Sequence, residues 1–97
     1  MQWLEDHISQ VTDALMSRLN REAANGINRG RFQLYYHPSV PGVRGGLCVL
    51  PSDEDMSRDA WQPFGGSFTP SAMTRDQIRR RIWEASRTLP LLDPKED

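Results

Sequence analysis

The chain has 97 residues, a formal net charge of −1, 37% hydrophobic residues and a mean hydropathy of −0.65. That length holds one hydrophobic core and leaves no room for a second domain, while the low apolar content predicts a thin core with much of the chain in loops or at the surface. The single cysteine, Cys48, excludes an intramolecular disulfide and suits a reducing compartment. The acids in the opening MQWLEDH and the lack of an apolar run near the roughly 18 residues of a membrane span argue against secretion or insertion, so the expectation is a soluble cytosolic protein.

From Trp3 to about Asn25, Leu4, Ile8, Val11, Leu15 and Leu19 recur at helical spacing and lay one apolar stripe along a helix. Asn25 and Gly26 accept positive φ and close it, with Arg18 and Arg21 in the last turns, where the helix dipole favours cations. Arg31 to His37 alternates, Phe32, Leu34 and Tyr36 on one face and Arg31, Gln33, Tyr35 and His37 on the other, and predicts a half-buried strand. Gly46 to Leu50 predicts a second strand, antiparallel to the first, and the intervening PSVPGVRGG is too rich in Pro and Gly for a tight hairpin turn.

Residues 51–70 show neither helical nor strand period and predict a long irregular loop. Its rings, Trp61, Phe64 and Phe68, argue against disorder and need a cover, from this domain or from a partner. Thr74 to Gln77 reads as a capping box that opens a second helix, with Ile78, Ile82, Ala85 and Leu89 inward, Arg79, Arg80, Glu84 and Arg87 outward, and Pro90 at its end. Residues 90–97 read as a frayed tail, with Leu91 and Leu92 able to dock. The expected fold is α+β over residues 1–97: N-terminal helix, two-stranded antiparallel sheet, long irregular loop, C-terminal helix. Because two strands do not stand alone in water, the helices must cover one face of the sheet.

Charge is blocky, with basic segments at 29–50 and 71–89 between acidic ones, and eleven of the twelve basic residues are Arg. Arg favours planar, bidentate pairing with carboxylate or phosphate. Asp53, Asp55, Ser57 and Asp59 begin like a calcium loop, but Arg58 stands where such a loop needs Gly and Phe64 where it needs Glu. His7, His37 and Cys48 lack the paired short spacings of a zinc site. No nucleophile signature or phosphate-cradling loop is present. The expectation is therefore a non-catalytic protein without cofactor or metal, binding its partner through Trp61, Phe64, Phe68, Arg79, Arg80 and Arg87. Arg79, Arg80 and Arg81 step about 100° apart on a helix and do not share a face. That makes direct nucleic-acid binding by the second helix the alternative and not the leading reading. Pro38, Pro41 and Pro63 sit in segments that read as flexible, where a proline either stiffens a loop or is offered to a partner.

The MQWLEDHISQ opening, the RFQLYYHPSVPG strand and loop and the RRRIWEASRTLP helix, taken with the chain length, resemble the small anti-RecBCD proteins of P22-like temperate phages. The resemblance covers the layout of the whole chain and contains no short diagnostic motif, so it transfers no residue role. It implies a phage protein of the host cytoplasm that binds the RecC subunit of the RecBCD helicase-nuclease and alters its activity in favour of phage recombination. It also implies association with a host prolyl isomerase, for which Pro41, followed by Gly42, is the first choice of bait.

Overall fold

The computed structural model describes residues 2–28, 30–37, 46–54, 61–87 and 89. In chain order these form α1 (Gln2–Ala24), β1 (Phe32–His37), β2 (Gly46–Pro51), β3 (Gln62–Phe68), a short 3-10 turn (Pro70–Ala72) and α2 (Arg75–Ser86). The expected wide connection after His37, with Pro38 and Pro41 in it, and the expected tail at 90–97 lie outside the described residues.

Both helices start where local signals put them, but α2 ends at Ser86, short of the stop expected at Pro90. Along the α1 stripe, Ile8 and Leu15 are buried and Val11 and Leu19 pack at the margin of the core; the side chain of Leu4 lies outside the described residues. Gly26 takes φ +74°, and the Asn25 side chain donates to the Arg21 carbonyl at 3.0 Å, satisfying one of the last carbonyls of the helix. At the start of α2 the Gln77 amide donates to the Thr74 hydroxyl at 3.2 Å and the Thr74 amide to the Gln77 side chain at 2.9 Å, the reciprocal pair expected from TRDQ. Ile78 and Ile82 are fully buried and Ala85 and Leu89 border the core.

The two helices run antiparallel. Arg75 Nε donates to Asp13 Oδ1 at 2.8 Å, and one turn further along both helices Arg79 Nε donates to Ser9 Oγ at 3.1 Å. The outward position expected for Arg79 is thereby corrected: it is half-buried against α1. Ser86 also turns inward, 1% exposed, with no hydrogen-bond partner for its Oγ. A buried hydroxyl without a partner is costly and Ala is the better helix former, so Ser86→Ala is expected to raise stability by up to about 1 kcal/mol. Urea denaturation checks this, and a lowered midpoint would mean that the hydroxyl is satisfied.

The sheet has three antiparallel strands in the order β2-β1-β3, not the expected two. The segment 62–68 pairs with β1 because Phe64 lies opposite Leu34 and Phe68 opposite Phe32, with Gly65 and Gly66 bulged out between them at φ +70° and +71°. The Gln33 side-chain amide donates at 2.9 Å to both the Phe64 and Leu34 carbonyls where the ladder breaks. Register places Phe32, Leu34 and Tyr36 of β1, Leu47 and Val49 of β2, and Phe64 and Phe68 of β3 on the face that the helices cover. The core joins Ile8, Leu15, Phe32, Leu34, Leu47, Ile78 and Ile82.

Tyr35 points to the opposite face, as its place in the alternation requires, yet it is only 8% exposed. Its register neighbours there are Cys48 and Pro63, and its hydroxyl donates to the Glu54 carbonyl at 3.2 Å. At the end of this face Trp61 meets the His37 ring edge-on, centroids 5.3 Å apart, and reaches across β1 to Gly46, where an added Cβ would lie 3.4 Å from the indole.

Candidate protein-binding surface

The residues singled out from sequence are distributed over both faces of the sheet. Phe64 packs edge-on to Tyr36, centroids 5.7 Å apart, and Phe68 lies beneath the guanidinium of Arg81, so both half-buried rings border the core. Trp61 lies on the other face with His37. Arg80 on α2 and Arg87 just past its end are exposed, and Pro41 is outside the described residues. The third member of the Arg run, Arg81, donates to the Gly65 carbonyl and helps hold α2 on the β3 bulge.

A concavity lies elsewhere, at the end of α1. Met16, Leu19 and Ala23 on the helix, Ile27 just beyond it, and Pro70 and Met73 around the 3-10 turn line a groove of about 470 Å³. Ile27 is 43% exposed and is the large hydrophobic residue left open to solvent among the described residues. Asn20, Glu22 and Asn28 share its lining. Two methionines give such a groove walls that repack around differently shaped side chains.

The chain matches no known family model, curated protein or solved structure.

A second, smaller groove of about 260 Å³ runs between α1 and β2, lined by Val11, Leu15, Leu47, Val49, Arg18 and Arg21. Burial opposes the charge of Arg18, but hydrogen bonds from its guanidinium to Glu54 at 2.9 Å and Glu22 at 3.2 Å outweigh it and hold the pKa above the ordinary arginine value. On the outer side of α1, the hydrogen bond from Arg75 holds the Asp13 carboxyl below the usual carboxylate range. That exposed pair favours the folded state above the ordinary carboxylate pKa, and its contribution is lost as pH falls through the lowered value.

Burial pushes the Cys48 thiol up to about 11. The thiolate is the reactive form, so Cys48 is expected to react with iodoacetamide at pH 8 far more slowly than a free cysteine and to reach the ordinary rate only on unfolding. Mass spectrometry of quenched samples reads this, and rapid alkylation of the folded protein would contradict the burial. Among the described residues no three His, Cys, Asp or Glu side chains converge as a metal site, and no helix is long and apolar enough to cross a membrane.

Proposed function

We propose that this chain is a phage-encoded binding protein that acts by contact and without catalysis, docking on the RecC subunit of the host RecBCD helicase-nuclease and shifting its activity in favour of phage recombination. The partner follows from the resemblance to the anti-RecBCD proteins. Binding to protein is supported by one observation above the others: the groove at the end of α1 combines the open Ile27 with Met16, Leu19 and Met73, and Asn20, Glu22 and Asn28 share its lining. Apolar side chains interspersed with polar groups are the composition of protein-protein contact patches. The prolyl isomerase that the resemblance implies would engage Pro41; Pro63 is the weaker bait, because it is held in β3.

Purified RecBCD immobilised on a sensor surface tests the proposal. The wild-type chain is expected to bind, and Ile27→Asp to weaken binding by about 2 kcal/mol, the scale of an interface anchor, with its circular dichroism unchanged. Absence of wild-type binding would overturn the RecBCD assignment, and undiminished binding of Ile27→Asp would remove the groove from it.

The alternative, DNA binding through α2, has less support. Arg75, Arg79 and Arg81 are engaged within the fold by Asp13, Ser9 and Gly65. Arg80 on that helix and Arg87 just past its end remain as exposed cations, too few for a strong phosphate-contacting stripe. A gel shift whose affinity falls steeply between two salt concentrations would favour it.

A further inference from the structure

The two edges of the sheet are treated differently. On β3 the outward slot between the paired residues Gln62 and Phe64 is occupied by Pro63, which has no N–H to offer. The Gly65–Gly66 bulge follows, and Arg81 covers the Gly65 carbonyl. Proline, bulge and a covering cation are the usual means by which an edge is closed to further pairing.

β2 is closed in this way at its end, where Pro51 takes the outward slot, but Leu47–Leu50 is a run of four apolar residues without proline, bulge or charge. The Leu47 amide points away from β1, since it donates to His7 Nε2 on α1 at 3.0 Å. Antiparallel pairing alternates with a period of two, so the Val49 N–H and C=O point the same way. Among the described residues no hydrogen bond engages them, whereas the Pro51 carbonyl already accepts from the Glu54 amide at 3.0 Å. Among the described residues the open edge therefore centres on Val49, and beside it lies the groove whose far wall is Val11 and Leu15 of α1.

The charge of this groove is one-sided. Arg18 is paired with Glu22 and Glu54, but Arg21, exposed at the same end, has no carboxylate partner among the described residues. No acidic side chain lines the groove.

We propose that β2 accepts an extended segment of another protein as a fourth strand, seated between β2 and α1, with alternate apolar side chains in the groove and an Asp or Glu on Arg21. Backbone pairing at Val49 holds the segment, and the carboxylate fixes its position. A second copy of this chain pairing β2 to β2 fits less well, because GLCVLP carries no acid to meet Arg21. The inference deepens the protein-binding reading but does not require that the partner be RecBCD.

Selection of short random peptides displayed on phage against the full chain tests it. Enriched peptides are expected to alternate apolar residues and to carry Asp or Glu at one fixed position. Arg21→Glu should weaken the selected acidic peptide about tenfold and should bind its lysine counterpart better than the wild type does; Arg21→Gln, which only removes the charge, should lose affinity without that reversal. In the complex, hydrogen exchange of the Val49 amide should slow. Failure to enrich any peptide, an acidic preference indifferent to Arg21→Glu, or an unchanged Val49 amide would overturn the proposal. So would a concentration-dependent dimer in sedimentation equilibrium that protects Val49 without peptide, which assigns the edge to a second copy. Loss of RecBCD binding alone leaves these readouts unaffected.

Discussion

Gly65→Ala is expected to destabilise the fold by about 2–5 kcal/mol, because two separate costs meet at one position. The residue sits at φ +70°, where an L side chain costs about 1–2 kcal/mol. An added Cβ would also stand 2.8 Å from the Ala85 Cβ, forcing α2 off the β3 bulge, and such overpacking typically costs about 1–3 kcal/mol. Gly66 separates the two effects. It has φ +71°, but its nearest neighbour would be the Arg81 side chain at 3.6 Å, so Gly66→Ala should incur only the backbone cost. A cycle with Ala85→Gly, itself costing about 1 kcal/mol as a helix interior change, should recover the clash in Gly65→Ala and nothing in Gly66→Ala. Equal destabilisation at both glycines in urea would refute the proposed contact between α2 and the bulge.

Leu34→Ala should lose about 2–5 kcal/mol, the range for truncating a buried leucine. Against a total of about 5–15 kcal/mol for a domain of this kind, that is a large share. Leu34 is 0% exposed on the central strand, with Val49 and Phe64 opposite it on either side. Its neighbour Tyr35 points to the other face, and Tyr35→Phe removes the hydrogen bond to the Glu54 carbonyl, for about 0.5–1.5 kcal/mol. Denaturation midpoints rank the pair, and a larger effect at Tyr35 would move the structural centre to the face away from the helices.

The helices and first two strands were legible because their signals are local: the α1 stripe, the Thr74–Gln77 box and the alternation around Leu34 each fit within a few residues. β3 was not. Between Phe64 and Phe68 stand Gly65 and Gly66, which carry no side chain to mark an alternation and are bulged out of the ladder, so the strand leaves little pattern in that stretch. Proline, ordinarily a sign against a strand, is tolerated at residue 63 because its missing donor faces outward.

The surface was less legible still. The helical step separates Arg79, Arg80 and Arg81 but does not say that Ser9 and the Gly65 carbonyl engage the first and third. The burial of Tyr35 and the groove at Ile27 depend on contacts with Glu54 and with Pro70 and Met73, all distant in the chain. The aromatic residues of the loop carried a real signal, namely that something must cover them, and for Phe64 and Phe68 this domain supplies much of the cover.

The strand at the middle of the sheet is also the first of the three to be synthesised. A nascent chain that has emerged as far as residue 54 contains α1, β1 and β2, but neither the partner for the second edge of β1 nor the helix that completes the roof over Phe32 and Leu34. During that interval it presents an unpaired strand beside bare apolar side chains, a combination prone to self-association. A chain ended at residue 54 is accordingly expected to bind an apolar fluorescent dye and scatter light at concentrations where the full chain does neither. The order of elements thus places the period of greatest vulnerability between the emergence of β2 and that of β3 and α2.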